Sequence, residues 1–173
     1  MDARTARIGF IGFGNMAHAM AKGLVTCAGV EGSRIRACAA HFDALKDRCK
    51  PLGIRALRTP AEVARESDIV VIAVKPHLVA DVVAECTADL RGRAVVSVAA
   101  GLLFDFYENL LGAGSHHLST IPNTPIAIGK GVIAYEQTHS LSAEEWGVFE
   151  ELFSPIALIE PVAGNLLSCA SAV

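Results

Sequence analysis

The segment Gly12-Phe13-Gly14-Asn15-Met16-Ala17 constrains this chain's fold more than any other stretch. It ends an apolar run, Arg7–Phe13, that predicts a strand. It opens Asn15–Val25, where Met16, Met20 and Leu24 recur one turn apart and predict a helix. Gly12 permits a tight reversal, Gly14 leaves the backbone bare, and Ala17 lets the helix lie close to the strand. The first N–H groups of a helix lack intrahelical partners and sit at the positive end of its dipole. A G-x-G-x-x-A turn in this context reads as a cradle for the pyrophosphate of a dinucleotide. The alternative, glycines serving only the backbone, fits the strand–turn–helix context less well.

The same alternation continues along the chain. Strands are expected at Arg34–Ala39, weakly at Ile54–Leu57, then at Asp68–Val74, Ala94–Val98, His117–Ile121, Val132–Tyr135 and Ala157–Glu160. Helices are expected at Phe42–Lys50, Leu78–Ala88 and Phe104–Leu111. Thr59-Pro60-Ala61-Glu62 and Ser142 with Glu145 have the form of capping boxes opening two more, the second running to about Phe153. Alternation of this kind implies βαβ units with right-handed crossovers. The fold class is therefore α/β, Rossmann-like and doubly wound, with a mostly parallel sheet, helices on both faces, and ligands at the strand carboxyl ends. Hydrophobic residues make up 52% of the 173, as strands buried on both faces require.

Other classes are disfavoured. A net charge of -3 without a basic tract offers nothing to a phosphate backbone, so no nucleic-acid partner is expected. No apolar run approaches the roughly 20 residues that span a bilayer, and Met1–Arg7 lacks the form of a signal peptide. No membrane association is expected, and the chain reads as cytoplasmic. Cys27, Cys38, Cys49, Cys86 and Cys169 are scattered and read as reduced, mostly buried thiols. The histidines His18, His41, His77, His116, His117 and His139 form no ligand cluster, so no metal site is expected. Each reads as a surface or helix-end residue rather than a catalyst.

The second strand ends at Ala39-Ala40-His41-Phe42, without the carboxylate that usually holds an NAD ribose. Ala40 and His41 are candidate lining residues there, and His41, Lys46 or Arg48 could contact a 2′-phosphate. NADP(H) is thus favoured, with NAD(H) possible. Lys75 interrupts a buried strand at its carboxyl end, so its ammonium should emerge into the crevice, with Pro76 fixing the exit. Pro122 and Pro125 stiffen the loop bearing Asn123 and Thr124.

Four segments together carry a family resemblance. They are Ile8 to Ala17, Ala73-Val74-Lys75-Pro76, Ser97-Val98-Ala99-Ala100-Gly101, and Ile121-Pro122-Asn123-Thr124-Pro125 followed by Gly129 and Gly131. In this order the chain resembles the N-terminal domain of pyrroline-5-carboxylate reductases. The resemblance implies hydride transfer from NAD(P)H to 1-pyrroline-5-carboxylate, giving L-proline. It places Gly14, Asn15 and Met16 under the pyrophosphate and Ala73 to Pro76 along the nicotinamide ribose. It places Asn123 and Thr124 by the nicotinamide ring, with Ala99 also lining the cofactor.

It further implies residues 1–163 as the dinucleotide-binding domain and 164–173 as the start of a helical domain. That second domain would form a homodimer or higher oligomer and carry the main substrate-binding groups. No catalytic residue is assigned, and the chain alone is expected to bind dinucleotide but turn over poorly. The competing readings are a β-hydroxyacid dehydrogenase, an F420-dependent NADP reductase, and a non-catalytic dinucleotide-binding protein.

Overall fold

The computed structural model describes residues 1–164, 166 and 167. Among them, β1 (Ile8–Ile11), β2 (Ile35–Cys38), β3 (Arg55–Ala56), β4 (Ile69–Ile72), β5 (Ala94–Ser97), β6 (His116–Pro122), β7 (Gly131–Glu136) and β8 (Ala157–Val162) form a single sheet. Its order is β3-β2-β1-β4-β5-β6-β7-β8. The helices are α1 (Asn15–Thr26), α2 (Phe42–Cys49), α3 (Pro60–Arg65), α4 (Val79–Ala84), α5 (Thr87–Leu90), α6 (Phe104–Leu111) and α7 (Ala143–Phe153).

Alternate residues of each strand feed two separate cores. Ile8, Phe10, Ile35, Ala37, Ile69 and Val71 pack with Met20 and Leu24 of α1, Leu45 of α2, and Phe149 and Phe153 of α7. Ile11, Val70, Ile72 and Val95 face the other way, onto Val63 of α3, Val83 of α4 and Tyr107 of α6. Helices therefore cover both faces, and the central strands are buried throughout.

Pairing is parallel from β3 across to β6, and β7 then runs antiparallel to β6. Uniform βαβ alternation fails at this joint for a simple reason. A parallel return needs a crossover of about a dozen residues or more. Only a 3-10 turn, Thr124–Ile128, lies between these two strands. The crossover resumes with α7, and β8 is parallel to β7.

Both capping boxes form. The Glu62 N–H donates to Thr59 Oγ1 at 3.2 Å, and the Thr59 N–H donates back to Glu62 Oε2 at 2.9 Å. The Ser142 and Glu145 pair does the same at 3.2 and 2.8 Å. A cap of this kind stabilises its helix by about 1 kcal/mol.

Two expectations need correction. Leu78–Ala88 is not one helix: a 3-10 turn at Pro76–Leu78 leads into α4, which stops at Ala84 before α5 begins. There Thr87 Oγ1 donates to the Val83 carbonyl at 2.8 Å, a side-chain bond that competes with the helical ladder. His117 is not at the surface. It is 1% exposed, its ring lies between Phe104 and Tyr107, and Nε2 meets Glu108 Oε2 at 3.1 Å. Its strand position, facing α6, decides this, and residue type alone does not show it.

Cys38, Cys49 and Cys86 are buried free thiols and Cys27 is an exposed one. Burial pushes Cys38 and Cys49 up to about 11 and Cys86 to about 12. Cys169, and most of the 164–173 segment, lie outside the described residues.

Candidate dinucleotide-binding site

The carboxyl ends of the central strands are tied into one edge. The Gly12 N–H donates to the Cys38 carbonyl at 3.0 Å, the Ala73 N–H to Ile11 at 2.8 Å, and the Val98 N–H to Ile72 at 3.0 Å. This register brings Gly12, Ala73 to Pro76 and Val98 to Gly101 onto one side of the sheet. It does so at the β1/β4 boundary, where the strand order reverses and ligands of such sheets bind.

The turn after β1 needs its first glycine on two counts. Gly12 has φ +89°, which side chains avoid, and a Cβ there would lie 2.6 Å from the Ala73 carbonyl oxygen and 2.8 Å from Val74 Cγ1. Gly14 differs: its φ is an ordinary -73°, and a Cβ would meet nothing within 4 Å. Gly14 therefore keeps space open in front of α1 and is not required by the backbone. No side chain caps α1, and its first turn carries no acidic residue. Free N–H groups, open space and no competing carboxylate fit a pyrophosphate dianion. Gly14 and Asn15 are exposed, and Met16 is half-buried beside them.

Arg48, on α2, braces this turn. It donates to the Phe13 carbonyl at 3.2 Å and to Asn15 Oδ1 at 3.3 Å. Those contacts hold it at the turn, so its expected role at a 2′-phosphate does not fit its placement. The end of β2 instead meets a residue that the sequence did not single out. Arg36 pairs with Arg55 and Ala37 with Ala56, and two residues past that pairing Arg58 reaches Phe42, which follows the exposed Ala40 and His41. Its guanidinium carbon stands 4.2 Å from the Phe42 ring centre, and Lys46 Nζ is 5.3 Å from the same ring. Two carboxylates flank this spot: Glu62 Oε2 accepts the Arg58 N–H at 2.9 Å, and Asp43 is paired with Lys46 at 2.8 Å.

On the other side of the switch point, Lys75 is exposed and enters no ion pair among the described residues. It precedes the 3-10 turn begun by Pro76. Asn123 is half-buried. Its Oδ1 accepts the Val132 N–H at 2.8 Å, which anchors the β6–β7 turn, and its amide nitrogen has no partner among the described residues. Thr124 is exposed one residue later. The turn is pressed onto α1, where a Cβ on Gly23 would collide with the Ile126 carbonyl. The edge thus gathers the glycine turn, Ala40, His41, Ala73 to Pro76, Ala99, Asn123 and Thr124. Among the described residues, no group of three or more His, Cys, Asp or Glu could hold a metal ion.

Residues 7–101 match the family described as NADP oxidoreductase, coenzyme F420-dependent. The chain is 33% identical over 176 residues to a pyrroline-5-carboxylate reductase of Treponema pallidum, covering 95% of this chain and 66% of that one. A pyrroline-5-carboxylate reductase structure from Coxiella burnetii superposes with a TM-score of 0.87 at 27% identity, over 98% of this chain and 63% of that one. The Plasmodium falciparum enzyme, solved with NADP bound, superposes with a TM-score of 0.84 at 21% identity, over 98% and 64%. The chain thus spans a little under two thirds of the length of these relatives. The fold, the glycine turn at the switch point and the matched family agree: this chain belongs to the NADP oxidoreductase, coenzyme F420-dependent family, and aligns within it to the dinucleotide-binding part of pyrroline-5-carboxylate reductases.

Proposed function

We propose that the chain is the cofactor-binding part of an enzyme that reduces 1-pyrroline-5-carboxylate to L-proline, and that its cofactor is NADP(H). The observation that carries this reading is the open, uncapped and carboxylate-free turn at Gly12 to Ala17. When bound, the reduced nicotinamide supplies a hydride to the imine carbon, while the imine nitrogen takes up a proton.

This chain's residues bind and orient. The amides from Gly14 to Met16 hold the pyrophosphate, and Arg48 keeps the turn in shape from below. The backbone from Ala73 to Pro76 borders the nicotinamide ribose, with the Lys75 cation facing the crevice. The amide nitrogen of Asn123 and the Thr124 hydroxyl would flank the nicotinamide and help to orient it for hydride transfer.

We place the main substrate-binding groups, and a homodimer contact, in the length of the relatives that this chain does not span. Residues 164–173 would begin that part. No described helix is long and apolar enough to cross a membrane. A cytoplasmic enzyme without nucleic-acid partners is the setting that its free thiols and its net charge of -3 favour.

Support for NADP(H) over NAD(H) comes from Arg58 and Lys46 on the Phe42 ring, beside a β2 end that carries no carboxylate. A guanidinium is well suited to a phosphate, and a flat ring beneath it limits its freedom. Titration with NADPH and with NADH, followed by nicotinamide fluorescence, tests both parts. Saturable and tighter binding of NADPH is expected. Equal affinities would remove the 2′-phosphate assignment, and binding of neither would remove the cradle.

A further inference from the structure

The loop from Val98 to Leu103 joins β5 to α6 at the carboxyl edge. Beneath it the sheet carries polar side chains where an apolar layer is the rule. Ser97 and Ser119 are paired across β5 and β6, and both are 2% exposed. One step beyond the Thr120–Tyr135 pair, Ser119 faces Glu136 of β7, itself 7% exposed. The three form a row across neighbouring strands, on the face that α6 covers.

Every member of the row reaches the same segment. Ser97 Oγ accepts the Ala99 N–H at 3.1 Å. Ser119 Oγ donates to the Leu102 carbonyl at 3.1 Å. Glu136 Oε2 accepts the Phe104 N–H at 2.7 Å, serving a helix start that has no side-chain cap of its own. Ser97 is fixed in turn by the wholly buried Tyr107, whose phenol oxygen is hydrogen-bonded to Ser97 Oγ. Burying a hydroxyl or a carboxylate is unfavourable unless it finds a partner. Here each one does, and the backbone partners lie in one run of six residues, Ala99 to Phe104. Ala100 and Gly101 are left as the exposed tip of the loop at the carboxyl edge.

We propose that Ser97, Ser119 and Glu136, with Tyr107 behind Ser97, are positioning residues that set the Ala99–Gly101 tip against the nicotinamide end of the cofactor. The proposal rests on the proposed function, which sets the nicotinamide end between Ala73–Pro76 after β4 and Asn123–Thr124 after β6; the loop after β5 lies between them in strand order. The residues act through the loop backbone and touch no ligand. The adenosine end, on the far side of β1, lies outside their reach.

The test compares NADPH with 2′-phospho-ADP-ribose, which keeps the adenosine, pyrophosphate and 2′-phosphate but lacks the nicotinamide. Tyr107→Phe removes only the phenol oxygen, and Ser119→Ala removes only the hold on Leu102. In each variant NADPH affinity is expected to fall about five- to tenfold, while 2′-phospho-ADP-ribose binds as in the unaltered chain. A merely structural loss would weaken both ligands together. Equal losses, or NADPH affinities within twofold of the unaltered chain in both variants, would overturn the proposal. Failure of the unaltered chain to bind 2′-phospho-ADP-ribose would overturn the cofactor reading itself, and this proposal with it.

Discussion

The two halves of the carboxyl edge are built on different principles. On the side proposed for the adenosine, around β1, β2 and β3, the shape comes from missing side chains and exposed cations: Gly12, Gly14, Arg58 and Lys46. On the side proposed for the nicotinamide, from β4 to β7, the shape comes from buried hydroxyls and a buried carboxylate that hold a loop from beneath. In the proposed reading, one half would present backbone to a highly charged group that needs little more than open N–H donors, and the other would hold a flat, weakly charged ring, a task suited to a loop kept in one conformation.

The two glycines of the turn give the largest expected effects. Gly12→Ala forces a Cβ against the Ala73 carbonyl at a φ of +89°. Strain of this kind costs about 1–3 kcal/mol before any clash is counted, so urea unfolding should show a loss of at least that size. Dinucleotide binding should vanish with it. Gly14→Ala meets open space at an ordinary φ. Its unfolding free energy should stay within about 0.5 kcal/mol of the unaltered chain, while affinity still falls. A Gly14→Ala variant that binds NADPH normally would show that the pyrophosphate does not lie over this turn.

Arg48 and Arg58 divide the adenosine half further. Arg48 touches the turn itself, so Arg48→Ala should weaken NADPH and NADH by the same factor. Arg58 stands over Phe42 beside the β2 end, and Arg58→Ala should weaken NADPH about tenfold, near 1.4 kcal/mol, and leave NADH unchanged. Parallel titrations of both variants decide the matter. An Arg58→Ala variant that loses both cofactors equally would place the residue in the turn's support and leave the 2′-phosphate without its anchor.

This contrast also explains what was legible in the sequence. Gly12, Gly14 and Ala17 lie within six consecutive residues, and their roles follow from backbone geometry, so spacing alone exposes them. The Thr59–Glu62 and Ser142–Glu145 boxes are local in the same sense and form as expected. Arg58 is brought to Phe42 only by the pairing of β2 with β3, and a lone arginine before a capping threonine carries no local signal. The Ser97, Ser119 and Glu136 row is less visible still. Its members are 17 to 39 residues apart along the chain, and only the parallel β5–β6 and antiparallel β6–β7 registers align them. The reversal of β7 was hidden for a related reason. Its strand pattern is plain, but direction depends on the length of the connection, and that length matters only once the 3-10 turn is known. A serine inside an apolar strand is the one trace the row leaves, and Ser97 at the end of Val95-Val96 is such a case.

The smallest predicted effect separates the halves by sign. Glu62, on the adenosine side, is held below the ordinary carboxylate value of 4.5 by the Thr59 and Arg58 N–H groups and the Thr59 hydroxyl. Glu136, on the nicotinamide side, is pushed above that value by burial and by Asp105, against the opposing pull of the Phe104 N–H and His117. A depressed carboxylate contributes stability that is present above its unfolded value and lost as pH falls through its folded value. A raised one makes the folded state lose ground as pH rises from 4.5 through its folded value. Glu62→Gln and Glu136→Gln remove these contributions. Measured by urea unfolding between about pH 3 and 7, the unaltered chain should gain on Glu62→Gln as pH rises and lose to Glu136→Gln over the same interval. Two curves that slope the same way would mean that Glu136 is not held in a desolvated site. The nicotinamide half would then be a solvated edge like its neighbour, and its loop would owe its conformation to something other than a buried row.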